Sequence, residues 1–516
     1  MLKTPAQLEA ASGNPFSAWE FLQRHRRLLL RAALIILAGG LVFAPTLQGD
    51  WLWDDDVVFL YNNIAHDPAG LWIIWFRPGN LTDYYPLLAS AEWLEWHLFH
   101  RHPAGYHVIT LSLHIVNALL VWRLLGKFNL RLAWLGGLIF AIHPLMVESV
   151  AWMAELKNTL SLFPFLLAMC RWIDYEERGQ ARDYRLTLGL FLLAMLGKTT
   201  MAAFPAVILL YAWWKRGRVT RADLYASLPF FGLALALGLV TVKFLSHYSI
   251  REDVLPAGGV FSKLALAGLT VDFYLYRFFW PVGLLPSYPP WKVNPPSAVQ
   301  FLIWPVLAGA GGWLWTKRAG WGRHVLLGFG FFLINLTPVM AFIMGKYASM
   351  AWSLDHLGYL PVIGLIGTTV MALEQLEGRL PASLRRWTAT IVLVLMALLA
   401  WMSHGYARKF INMETLMTYT LRSNPEDWRV RQNLGVFLFK SGRVAEGMEQ
   451  FKETIKLYPG YAQGHVALGL ALMQTGRSSD AMEQFKTALK INPDDVLARA
   501  NLAKLQGLPQ TAPAGK

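Results

Sequence analysis

Long apolar stretches, separated by short polar and basic runs, fill the chain from Leu28 to about residue 405. Several approach or reach the ~20 residues that carry a helix across a bilayer. They fall near 28–47, 104–125, 131–150, 157–173, 185–198, 200–214, 223–246, 298–316, 324–341, 358–376 and 387–404. The pattern predicts an all-α, polytopic membrane protein with about eleven crossings. One further stretch, 262–281, is apolar enough to cross but carries Asp272 and Arg277. It is expected to be re-entrant or to lie at the outer interface. Were it to cross, the count would be twelve and the C-terminus would return to the cytoplasm.

Basic clusters decide the orientation. Arg24, Arg26 and Arg27 precede the first apolar run, and Lys215, Arg216 and Arg218, then Lys317, Arg318 and Arg323, then Arg379, Arg385 and Arg386 follow later ones. Basic residues favour the cytoplasmic side. Residues 1–27 are therefore expected in the cytoplasm, 28–405 as the membrane domain, and 49–103 as a long first outer loop. The C-terminus is then outside, which in a bacterial inner membrane means the periplasm. The first apolar run lacks a small-residue cleavage site and is expected to be retained. The net charge of +14 is explained by this orientation signal. Spread along the chain with no organising motif, it gives no support to nucleic-acid binding. Hydrophobic residues make up 55% and charged residues 16%, which suits a bilayer. The single cysteine, Cys170, excludes an internal disulfide.

After Tyr406 the charge rises and a 34-residue period appears: Pro425, Pro459 and Pro493; Leu434-Gly435 and Leu468-Gly469; Gly442 and Gly476; Phe451 and Phe485. This is the signature of tetratricopeptide repeats. Small residues let paired helices approach, an aromatic fills the space between units, and proline ends the second helix. A repeat domain is expected over 406–505, with full units at about 428–461 and 462–495. Asn412–Pro425 reads as a preceding half unit and Val496–Leu505 as a capping helix. Residues 506–516 read as a disordered tail. Such repeats bind proteins or peptides, or pack on the membrane domain.

Ionisable groups at membrane depth are costly and mark function. Asp54, Asp55 and Asp56 stand where the first helix leaves the membrane, in a chain with only 33 acidic residues. A carboxylate there can act as general base on an acceptor hydroxyl, or the triplet can hold a divalent metal. A second group, His143, Glu148, Glu155 and Lys157, lies in "HPLMVESVAWMAELKNTL". Pro144 is expected to loosen the helix beside His143. The five-residue spacing of His143 and Glu148 excludes a HExxH zinc site. Lys198, in "MLGKTTMAAFP", suits a phosphate or snorkels to the interface. Asp355, His356 and Tyr359 open a later outer-side segment. Together these residues suggest a site for an anionic, lipid-linked ligand.

These stretches, with "WLWDDDVVFLYNN", "YYPLLASAEWLEWHLF", "PAGYHVITLSLHIVNALL", "IHPLMVESVAWMAELKNTLS" and "SLDHLGYLPVIGLIG" in order along the chain, resemble the C-type (GT-C fold) membrane glycosyltransferases with C-terminal tetratricopeptide repeats. Bacterial proteins of this architecture and the eukaryotic transmembrane-and-tetratricopeptide O-mannosyltransferases share the pattern. The resemblance implies a polyprenyl-phosphate sugar donor, transfer on the non-cytoplasmic face, and a catalytic aspartate in the first outer loop. Its acidic pair falls on Asp54/Asp55 or Asp55/Asp56, so Asp55 is the first expectation as base. Lys157 or Lys198 would hold the donor phosphate and His143 or His356 would orient groups. Glu148, Glu155, Asp355, Tyr359 and Tyr85 would support them. The repeats would recruit a protein acceptor. The chain departs from the family at Tyr84-Tyr85-Pro86-Leu87, where an arginine is common, at Glu155-Leu156-Lys157-Asn158, and at Asp355-His356-Leu357-Gly358-Tyr359. An enzyme acting on a lipid or surface glycan, a non-enzymatic scaffold and a transporter are the rival readings.

Overall fold

The computed structural model describes residues 18–77, 79, 81, 83–247, 258–340 and 353–507. Among them every regular element is helical, as an all-α membrane protein requires. Six helical segments are long and apolar enough to cross a bilayer: His25–Gln48, Pro103–Gly126, Arg221–Phe244, Ala298–Thr316, Gly322–Val339 and Ser383–Phe410. A seventh is made by Ala133–Ile142 and Pro144–Ala151 taken together, bent by 57°. The bend falls at His143, whose backbone is extended, directly before Pro144. Proline removes a helical donor and crowds the preceding turn.

The remaining expected crossings do not pass the same test of length and composition. Ala181–Gly197 has 17 residues and Phe204–Arg216 only 13. Leu156–Arg178 is longer but ends in a charged turn. Val362–Arg379 carries Glu374 and Glu377 near its end. These four helices are packed inside the bundle, where Leu162, Phe165, Phe191, Phe204, Ile208 and Ile366 are buried. Val260–Phe279 is one continuous helix that includes Lys263, Asp272 and Arg277. Part of the crossing expected at 324–341 and the expected disordered end at 506–516 lie outside the described residues, from 341 and 508 respectively.

Close backbone approach replaces bulk at one crossing. A Cβ on Gly364 would run into the backbone carbonyl of Gly328 on the facing helix. Small residues of this kind let membrane helices pack by dispersion and weak polar contacts. Gly364→Val is expected to separate the two helices and destabilise the protein by about 1–3 kcal/mol. Thermal unfolding of the purified variant in detergent checks this; an unchanged melting temperature would contradict it.

The last long helix, Ala382–Ala407, returns the chain to the exit of the first. His404 Nδ1 lies 3.0 Å from the carbonyl of Leu41, and the Asp50 amide donates to Ile411 O at 2.8 Å. The aspartate run and the C-terminal tail therefore emerge side by side. The tail is a stack of antiparallel helices: Met413–Ser423, Trp428–Lys440, Val444–Leu457, Ala462–Gln474, Ser478–Ile491 and Val496–Leu505. Phe451 and Phe485 are buried between helices, with the rings lying against Gly435 and Gly469. Asn412, Asp427 and Asp495 cap helices by accepting backbone amides, as short polar side chains do.

Candidate functional site

The three consecutive aspartates have three different neighbours. Trp53, at φ +46°, turns the chain sharply before them. Asp55 is fully buried and accepts the backbone amides of Leu52 and Ala154, each at 2.8 Å. One amide satisfies each carboxylate oxygen, so Asp55 fastens the loop to the turn that carries Glu155. Asp56 points toward the repeats, 3.6 Å from Lys440 Nζ. Asp54 is the most exposed of the three, within the field of Lys157, Glu155 and Asp56. Withdrawal of water by the surrounding protein raises its carboxyl above the ordinary range, and Lys157 opposes that rise.

The sequence reading puts Asp55 first as general base. The structure buries it and gives each of its oxygens a backbone amide to accept. The free carboxylate is Asp54. The three side chains diverge, and among the described residues no three carboxylate, imidazole or thiol groups converge as ligands would.

Lys157 and Glu155, which act on Asp54, belong to a charged network. Lys157 Nζ is 2.9 Å from Glu155 Oε1, and its side chain keeps 31% exposure. Glu155 Oε2 accepts from Asn158 Nδ2 at 2.6 Å. Asn158 Oδ1 in turn accepts from Lys198 Nζ at 2.5 Å. His356 Nε2 stands 3.7 Å from Glu155, and its Nδ1 3.1 Å from Glu148 Oε1. The other oxygen of Glu148 accepts the His356 backbone amide at 2.9 Å. Burial pushes the Glu155 carboxyl up, but His356, Lys157 and Lys198 outweigh it and hold the group down at about 2. Glu155 is thus a fixed anion that anchors two lysines and a histidine.

Other candidates take positions around this network. Tyr85 precedes the Pro86–Phe99 helix and places its hydroxyl 3.1 Å from Thr199 Oγ1, beside Lys198. Asp355 is buried behind Glu148 and accepts from Tyr288 and Tyr406 at 2.8 and 3.1 Å. Burial, then the charge of Glu148, drives its carboxyl well above the usual range. Two residues have other work. His143 accepts the Leu145 amide at Nδ1 and sits 3.0 Å from Phe278 O at Nε2, so both nitrogens are used in holding the helix break. Tyr359 is buried against Phe140, with its hydroxyl 2.8 Å from His114 Nδ1. Neither side chain is bonded to the Lys157 network, though the Tyr359 amide donates to His356 O at 3.3 Å.

Three participants escaped the sequence reading. Asn158 joins the two lysines, yet an uncharged side chain gives no signal in an apolar stretch. Asp83 and Glu92 interact electrostatically with Lys157. Glu92, in "ASAEWLEWHLF", was detectable as an acid in an apolar run. Burial pushes Glu92 up to about 7, Lys157 opposes this, and Asp83 adds to it. A carboxyl raised on folding binds its proton more tightly in the native state. Its stabilising effect is full below the unfolded value and is lost as pH rises through about 7. Glu92→Gln is therefore expected to flatten the fall in melting temperature between pH 5 and pH 8, read by thermal unfolding. Parallel curves for variant and wild type would contradict the burial argument.

Both the membrane domain and the repeats have counterparts in known proteins. A tetratricopeptide-repeat family profile matches residues 438–505. The human protein O-mannosyl-transferase TMTC1 is 23% identical over 503 residues, covering 84% of this chain and 55% of that protein. The chain is thus similar to proteins named protein O-mannosyl-transferase. The mouse TMTC1 of the same name is 30% identical over 203 residues, 35% of this chain and 22% of its own length. The human protein O-mannosyl-transferase TMTC4 is 25% identical over 197 residues, 33% of this chain and 27% of its own. The chain thus spans about half, or less, of the length of these relatives.

Proposed function

We propose that this protein is a membrane glycosyltransferase that moves a sugar from a polyprenyl-phosphate carrier to a protein hydroxyl at the outer, periplasmic face. The names of the relatives favour mannose as the sugar. The observation that carries the reading is the exposed Asp54 carboxylate lying within the field of the partly exposed Lys157 ammonium, with Asp55 fastening the aspartate loop to the turn that precedes Lys157.

In this mechanism the acceptor hydroxyl gives its proton to Asp54 as its oxygen attacks the anomeric carbon. The bond from that carbon to the phosphate oxygen breaks, and the electron pair leaves with polyprenyl phosphate. An ammonium has three donors; Lys157 spends one on Glu155 and turns the others to the departing phosphate. Lys198, only 8% exposed and bound to Asn158, fixes the network from beneath. His356 and Glu148 hold Glu155 in place.

The test is transfer by purified protein in nanodiscs, from short-chain polyprenyl-phosphate mannose to a serine- and threonine-rich peptide. The expected result is glycosylated peptide, detected by mass spectrometry, that depends on Asp54. Lipid or glycan products with unmodified peptide would favour the rival acceptor instead. No product with any of these acceptors would count against the enzyme.

A further inference from the structure

Trp53 joins two parts of the molecule that the chain separates by more than three hundred residues. Its indole packs on the core of the first repeats, where Met417, Val430, Leu434 and Leu438 are buried. Its other side meets Trp152, ring centres 5.7 Å apart, and Trp152 in turn stands 6.3 Å from the His356 ring. The backbone of Trp53 is left-handed, a region that non-glycine residues rarely occupy. Such a conformation persists only where the surroundings over-determine it. It immediately precedes Asp54.

More contacts fix the repeats at the same place. Lys440 lies 3.6 Å from Asp56 and 5.8 Å from the centre of the Tyr61 ring. Ser287 donates to Asp427 at 2.6 Å, and Asp427 caps the Trp428–Lys440 helix. Tyr419 donates to Leu284 O at 2.7 Å. The interface therefore lies along both sides of the aspartate run.

We infer that the repeat domain is part of the catalytic apparatus: it clamps Trp53 in its strained turn, and Trp53 is a positioning residue that sets Asp54 beside Lys157. The inference rests on the proposed role of Asp54 as base. It goes beyond acceptor recruitment, because the clamp acts on turnover even when the acceptor is a short peptide at saturation.

Two variants separate the clamp from the turn. Trp53→Gly accepts the left-handed backbone without strain but has no side chain to hold. Trp53→Phe keeps a large ring. In the peptide transfer assay, Trp53→Gly is expected to lower kcat at least about tenfold with donor KM within about twofold of wild type. Trp53→Phe should regain most of that loss. Lys440→Glu changes a side chain that is 58% exposed, so its folding is secure. It should lower kcat about threefold and speed amide exchange over residues 52–58, a readout that needs no substrate. A merely structural tryptophan would reduce the yield of folded enzyme and leave kcat per folded molecule unchanged. Wild-type kcat in folded Trp53→Gly would overturn the inference. If that variant does not fold, wild-type kcat and wild-type exchange in Lys440→Glu would overturn it. Asp54→Asn is run alongside: loss there with none at Trp53 sinks the clamp alone, whereas full turnover in Asp54→Asn sinks the catalytic reading beneath it.

Discussion

Asp54→Asn is expected to lower kcat by about 10²–10⁴-fold, the usual contribution of a general base. The amide keeps the shape of the side chain and removes the charge and the basic lone pair. Donor KM should change little, because in the proposed mechanism the phosphate is held by Lys157. Asp55→Asn should behave differently. It places an amide group where two backbone donors need acceptors, so one donor loses its partner inside the protein. Leaving a buried donor unsatisfied costs about 1–3 kcal/mol, and the melting temperature should fall together with activity. The neutral residue at 54 must leave melting almost unchanged. The acid side of the pH profile adds a check. The Asp54 carboxyl lies above the ordinary aspartate range, and a base works only when deprotonated. Activity should therefore fall, as pH is lowered, at a higher pH than an unperturbed aspartate would give. Equal turnover in Asp54→Asn and wild type would remove the base from the mechanism.

Lys157→Met is the second large effect. The substitution keeps an unbranched apolar stem and deletes the ammonium. A hydrogen bond to a charged group is worth about 1.5–3 kcal/mol, so donor KM is expected to rise by about 10–150-fold. Glu155 loses its nearest cation but retains Asn158 and His356, so folding should be weakened rather than abolished. Lys157→Arg restores the charge with a planar group of different reach, and partial recovery of KM is expected. Titration of donor in steady-state kinetics reads both. A Lys157→Met enzyme with wild-type donor KM would show that the phosphate is held elsewhere, and the buried Lys198 is the next place to look.

What the sequence made legible follows from what repeats or stands out locally. The 34-residue spacing needs no tertiary information, and neither does the proline that bends the chain at His143. The acid run was conspicuous because carboxylates are scarce in this chain. The division of labour within it was hidden, because it depends on partners far along the chain. Asp55 is bound by the amide of Ala154, 99 positions away, and Asp56 faces Lys440 in the repeats. Backbone donors leave no trace in residue identity, so a buried aspartate and an exposed one look alike in sequence. The same reason explains His143, whose polar atoms are absorbed by carbonyl and amide groups at a helix break. Asn158 was invisible because the adjacent Lys157 drew the argument. The docking of Trp53 on the repeats was hidden too, since a tryptophan at a membrane exit is ordinarily an interfacial anchor.

The central claim is that Lys157 holds the donor phosphate beside the acceptor base, Asp54. A cryo-electron microscopy map of the purified protein with a non-transferable polyprenyl-phosphonate mannose tests it most directly. The account predicts phosphonate oxygens within hydrogen-bonding distance of Lys157 Nζ, and the anomeric carbon turned toward the Asp54 carboxylate. Headgroup density lodged away from Lys157, with Asp54 facing only solvent or protein, would contradict it.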